Sequence, residues 1–187
     1  MKSIKGQYGY IKKQRNRVII WTVVLFVIAF SLFIAGYVMT KTKKNLLTIV
    51  AVLGLLPASK SLVNAIMFWR AKGCSEAFYH KVKEFDDKLV CLYDMYFTSY
   101  KTNYPISHLV LKNNMLCGYT EVKAMDVNAC KKHLEDMLTQ SGYKNMTVKI
   151  FESQEQYLER LRQLAELPEE QDKLLQEKID MLLSVSL

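Results

Sequence analysis

The sequence predicts an α+β protein: an N-terminal transmembrane helical hairpin followed by a small soluble domain with a mainly antiparallel sheet, in the order α-β-β-β-α-β-α-α. Three observations carry that expectation. Two long apolar runs lie within the first 70 of the 187 residues. All eighteen acidic residues lie beyond Cys74. After Gly73 the apolar pattern changes to the mixed helical and alternating periods of a folded domain.

The charge division sets the boundaries. Met1 to Cys74 holds twelve Lys and Arg and no acid, whereas Ser75 to Leu187 holds fourteen bases against the eighteen acids, so the two parts carry about +12 and −4 within a net charge of +8. The excess positive charge brackets the apolar runs instead of decorating a folded surface, so anionic lipid headgroups, and not nucleic acid, are the expected polyanion. The organisation read from this is a basic tail at 1–17, a two-helix anchor at 18–69 and a domain at 75–187.

Val18 to Thr40 contains no charge. At about 1.5 Å per residue such a helix covers the roughly 30 Å of hydrocarbon, and Trp21 and Tyr37 lie near its ends, where amphipathic rings favour the headgroup level. A cleaved secretory signal would have a shorter apolar core and a small-residue cleavage site. The second run, Leu46 to Trp69, follows the basic link Lys41-Thr42-Lys43-Lys44-Asn45. Pro57, Ser59, Lys60, Ser61 and Asn64 interrupt it, so it reads either as a kinked spanning helix, which is favoured, or as a half-span followed by an interfacial helix.

Lys60 and Asn64 would lie one turn apart and are the membrane-embedded polar candidates. Lys12, Lys13, Arg15, Arg17, Lys43, Lys44, Arg70 and Lys72 are the expected headgroup contacts. The Lys and Arg distribution places both termini in the cytoplasm and the Lys41–Asn45 link outside, in a cell membrane.

In the domain, Phe78, Val82, Phe85 and Leu89 mark a helix beginning near Ser75. Leu89 to Tyr100, rich in aromatic residues, reads as a strand. Ile106–Leu111 and Met115–Val122 flank Lys112-Asn113-Asn114 and read as a β-hairpin, because Asn tolerates the positive φ of a tight turn. Asp126 caps a helix with Cys130, Leu134, Met137 and Leu138 inward, stopped at Gly142. Met146–Phe151 alternates as a fourth strand. Ser153 and Gln156 open a helix with Tyr157, Leu158, Leu161 and Leu164 inward. Pro168 opens the last, with Glu169 and Glu170 in its first turn and Leu175, Ile179, Leu182 and Leu183 on one face.

One constellation is enzyme-like. Glu121 and Lys123 would share a face at the end of the third strand, with Asp94 on the first. The pattern resembles restriction-endonuclease-like folds, with an acid followed by Glu-x-Lys on a three-strand meander, and that resemblance implies carboxylates holding Mg²⁺ and a lysine orienting a water. In such folds the upstream acid sits on the second strand, and Ile106–Leu111 contains none. A solvated strand end is the more economical reading of Glu121 and Lys123, and no cofactor is expected.

His80, His108 and His133 show no metal-ligand spacing, and Cys74, Cys91, Cys117 and Cys130 form no CxxC pair, so reduced structural thiols are expected. Cys130 with His133 reads as two helix positions facing a core. No Gly-rich phosphate loop or nucleophile elbow occurs. As a whole the chain, through Gly118-Tyr119-Thr120-Glu121, Lys132-His133-Leu134 and Thr147-Val148-Lys149-Ile150-Phe151, resembles small two-helix membrane proteins of Gram-positive bacteria that carry a C-terminal domain of unassigned activity. The function expected is a non-enzymatic, membrane-anchored module that binds a protein partner or itself. A membrane-tethered nuclease and an oligomeric transport component are the alternatives.

Overall fold

The computed structural model describes residues 4–42, 46–100, 102–168 and 174–187. Its contacts divide the chain into two units, Ile11–Ala71 and a second that joins Met1–Tyr10 to Lys72–Leu187.

In the first unit, α1 spans Tyr10–Thr40 (31 residues) and α2 spans Leu46–Arg70 (25 residues), running through Pro57 without a break. Both are long and apolar enough to cross a membrane, and only 11% of each most apolar window is buried. The two helices meet along small residues. Thr22, Ala29 and Gly36, spaced by seven on α1, and Ala51, Ala58 and Ala65, spaced by seven on α2, are all buried. Small side chains let two helix backbones approach closely, and a seven-residue repeat keeps one stripe facing its neighbour. Thr22 Oγ1 and Ser61 Oγ are hydrogen-bonded across the seam at 2.7 Å. The outward faces carry Ile20, Val27, Ile34, Leu53, Leu56 and Val63, each more than half exposed.

The second unit contains α3 (Glu76–Val82), a 3-10 turn (Lys83–Phe85), β1 (Val90–Thr98), β2 (Asn103–Lys112), β3 (Met115–Tyr119), α4 (Val127–Gln140), β4 (Thr147–Phe151), α5 (Gln154–Glu166) and α6 (Leu175–Val185). The sheet order is β1-β2-β3-β4. The first two pairings are antiparallel and β3–β4 is parallel, so the sheet is mixed and not mainly antiparallel. The cause is the connection: β3 reaches β4 through the fourteen-residue helix α4, and a helical crossover returns the chain in the same direction.

Helices cover both faces. Cys130, Leu134 and Leu138 of α4 and Leu182 of α6 pack with Met95, Phe97, Ile106, Leu109, Leu116 and Val148. Phe78 and Val82 of α3 and Tyr157, Leu161 and Leu164 of α5 pack with Tyr93, Val110, Cys117, Tyr119 and Phe151. The caps on Asp126 and Ser153 form as expected, and Ser75, near which the first domain helix was expected to begin, caps α3. Gly142 takes φ +93° and Asn113 φ +51°.

One irregularity shapes the sheet. On β1 the first face receives Leu92, then Met95 and Phe97; on β2 it receives Leu111 and Leu109, then Ile106 and Tyr104. Alternation slips by one residue in both strands, at Asp94 and at Ser107, while the pairing on either side keeps its register (Tyr93↔His108, Met95↔Ile106). Asp94 pays for the slip with a left-handed φ of +55°.

Other boundaries differ from expectation. β2 begins at Asn103 and includes Pro105, which the ring permits because β3 pairs with β2 no further than His108 and Pro105 needs no donor on that side. β3 stops at Tyr119, because Thr120 turns the chain: its hydroxyl donates to the Pro105 carbonyl (2.8 Å) and accepts from the Val122 N–H (3.2 Å). Glu169 and Glu170 lie outside the described residues, and α6 begins at Leu175. Its apolar face is used within the domain: Leu182 is buried in the core, Ser186 bridges Phe97, and the Leu187 N–H donates to the Tyr96 carbonyl.

Candidate functional site

The segment before α1 is part of the domain. The Tyr93 N–H donates to the Gly6 carbonyl (2.8 Å). Lys5 Nζ donates to the carbonyls of Leu183 (3.2 Å) and Ser186 (2.9 Å), as a cation does at a helix C-terminus. The Tyr8 ring stacks on Tyr79 at 3.9 Å. The residues following α2 are held on the next position of the same strand. Asp94 Oδ1 accepts from the Cys74 N–H (2.7 Å), and Glu121 accepts from the Ser75 N–H (2.8 Å) and hydroxyl. The chain leading into α1 and the chain leaving α2 are therefore fixed at Tyr93 and Asp94, adjacent residues of β1.

That geometry decides the roles of the enzyme-like residues. Asp94 and Glu121 do converge, but on the backbone of Cys74 and Ser75, which they hold by charge-assisted hydrogen bonds. Glu121 and Lys123 lie beyond the end of β3, so they do not share a strand face, and Lys123 is exposed. The Cys74 thiol, between the two carboxylates, is pushed up to about 12 by burial and by their charge.

Of the membrane-embedded candidates, Lys60 and Asn64 are both exposed and lie off the small-residue seam, so they do not line a path between α1 and α2. Lys12, Lys13 and Arg17 are exposed and Arg15 is half-buried in the first turns of α1; Arg70 and Lys72 are exposed beyond the apolar run of α2. Lys43 and Lys44 lie outside the described residues.

A different group of residues forms a built cluster. Asp86 lies in the turn after the 3-10 segment, Cys91 and Tyr93 point to one face of β1, and His108 stands opposite Tyr93 on β2. One ligand atom each of Asp86, Cys91 and His108 lie within 4.8 Å of one another. His108 is fully buried, among the rings of Phe78, Tyr93 and Tyr157. Its Nδ1 is hydrogen-bonded to the Tyr157 hydroxyl at 2.8 Å, and its Nε2 has no hydrogen-bond partner among the described residues.

The electrostatics around it are those of burial. The His108 ring is held neutral, its pKa driven down to about 3. The thiol of Cys91 is raised by burial and by Asp86 beside it, and the Tyr93 hydroxyl, which donates to Asp86 Oδ1, is raised by the same two causes. Asp86, Cys91 and Tyr93 also line a cavity of about 370 Å³ with Gly6, Gln7, Tyr8 and Tyr79.

Sequence reasoning missed this cluster because its members are five and seventeen residues apart and come from a turn and two strands. The available signal was a histidine and a cysteine at alternating positions of neighbouring hairpin strands, which becomes informative only once the register is known. Cys130, by contrast, is a core residue whose thiol burial raises to about 12, and His133 packs beside Tyr104. The domain is thus a mixed four-strand sheet between two helical layers. Comparison with known proteins finds no family model, curated protein or solved structure that matches the chain.

Proposed function

We propose that this protein is an integral membrane protein in which the α1–α2 hairpin anchors the α+β domain at the surface of the cell membrane, where it acts as a binding or regulatory module without catalysis. The observation that carries the anchor is the inversion of ordinary helix packing: α1 and α2 bury alanine, glycine and threonine against each other and turn large aliphatic side chains outward. Such a hairpin in water would expose far more contiguous apolar surface than soluble proteins carry, whereas hydrocarbon is its natural solvent. The core helix of a soluble protein would be mostly buried, and these are not.

Placement of both termini on one side is supported by the docking of Ile4–Tyr10 onto the domain that follows α2, since two spans return the chain to its starting side. That side is read as cytoplasmic from the flanking Lys and Arg, which would meet anionic headgroups. Binding of a protein partner or a second copy is favoured over catalysis because Asp94 and Glu121 already serve as backbone acceptors. The nuclease reading loses its carboxylates to that role, and the domain's negative balance opposes a polyanion. The transport reading would place Lys60 and Asn64 between copies, since neither lies on the α1–α2 seam.

The test labels single cysteines introduced at Thr42, Gln140 and Leu187 with a membrane-impermeant thiol reagent on intact cells, in a background lacking the four native cysteines. Labelling at Thr42 alone supports the anchor and its orientation. Labelling at Gln140 and Leu187 reverses the orientation, and a chain recovered without detergent in the soluble fraction overturns the anchor.

A further inference from the structure

We propose that Asp86, Cys91 and His108 bind one divalent transition-metal cation of the zinc class, with the fourth coordination position open. Three donor atoms within 4.8 Å of one another need only a small contraction to surround a cation at the roughly 2.0–2.3 Å of zinc ligation. The donors are a sulfur, an imidazole nitrogen and a carboxylate oxygen. Thiolate and imidazole select Zn²⁺ and its first-row neighbours over Mg²⁺ or Ca²⁺, which prefer all-oxygen shells.

The state of His108 is the second, independent observation. Tyr157 lies within 3.5 Å of the His108 carbonyl and 2.8 Å of Nδ1. A hydroxyl that donates to that carbonyl accepts from Nδ1–H, which leaves Nε2 as the bare lone pair. A buried acceptor nitrogen with no donor costs free energy unless something supplies the missing interaction. A metal ion does so, and the Nδ1 partner is then the outer-shell hydrogen bond that metal-ligating histidines carry. Tyr93 plays the corresponding part for Asp86, engaging Oδ1.

The charges also close. On binding, the Cys91 Sγ–H bond breaks, its proton goes to solvent and sulfur bonds the metal; with the Asp86 carboxylate and neutral His108 the divalent site is then uncharged, as a half-buried position requires. Two of the three ligands line the 370 Å³ cavity with Tyr8, Tyr79 and Gln7, so a water or a small anionic ligand can take the open position. This site does not depend on the membrane reading.

The probe is Co²⁺, titrated into the full chain in detergent after chelator treatment and under reducing conditions. One equivalent should bind with a thiolate-to-cobalt charge-transfer band, and Zn²⁺ should displace it. The band should vanish in C91S and persist when Cys74, Cys117 and Cys130 are all replaced by Ser. H108Q and D86N should each weaken binding at least tenfold, and Y157F by about 10–100-fold; D86N changes an exposed side chain, so it tests the site even if H108Q disturbs the core. A titration with no charge-transfer band, or a band that survives in C91S, overturns the site.

Discussion

Gly73 is the position where the structure makes its sharpest demand on sequence. A Cβ there would lie 2.6 Å from Asp94 Oδ1, 3.0 Å from Cγ and 3.2 Å from Oδ2, and the carboxylate cannot retreat without releasing the Cys74 N–H it holds at 2.7 Å. Gly73→Ala therefore loses one charge-assisted hydrogen bond, about 1.5–3 kcal/mol, while Asp94 keeps its left-handed backbone without that return. Asp94→Gly loses the same bond but relieves a φ that costs an L-residue about 1–2 kcal/mol, for a net cost of about 1 kcal/mol. All three atoms nearest the new methyl belong to Asp94, so the double variant should be little worse than D94G alone. The expected coupling is about 2 kcal/mol. Pulse proteolysis of the full chain in detergent across a urea series reads the stability of the domain. Costs of G73A and D94G that add to within about 0.5 kcal/mol, or a neutral G73A, would refute the account of this junction.

Three further outcomes follow from the geometry. His108, neutral in the fold down to about 3 against 6.5 when unfolded, makes the unfolded chain bind more protons between those values. In chelator, domain stability should therefore hold above pH 6.5 and fall below it by up to about 1.4 kcal/mol per unit, and H108Q should lack that slope in urea titrations at pH 7 and 5. Cysteines replacing Thr22 and Ser61, whose oxygens are 2.7 Å apart, should crosslink on mild oxidation in membranes lacking the native thiols, and Ala58→Leu, at a fully buried seam position, should suppress the crosslink seen on gels. E121Q and K123A should leave nucleic acid untouched, as should the parent protein with Mg²⁺ or Mn²⁺; a metal-dependent cleavage that E121Q abolishes would restore the nuclease reading.

Local signals were legible where local physics dominates. The helix start near Ser75, the caps at Asp126 and Ser153, the stop at Gly142, the hairpin at Asn113 and the inward faces of α4 and α5 all depend on residues within a few positions of one another. So did the two long apolar helices. The end of β3 was not legible, because it is set by Thr120 bonding to Pro105, fifteen residues away. Nor was the role of Glu121, whose partner Ser75 is 46 residues distant.

The amino-acid order alone determined the segregation of charge, the length and apolarity of α1 and α2, and the succession of helices and strands, since these follow from composition and period along the chain. Only the tertiary structure decided that β4 runs parallel to β3, that Asp94 and Glu121 clasp the junction after α2, that Ile4–Tyr10 belongs to the domain, and that Asp86, Cys91 and His108 meet. Each of these is a long-range pairing through space, set by register and crossover direction, to which the spacing of residues along the chain is blind.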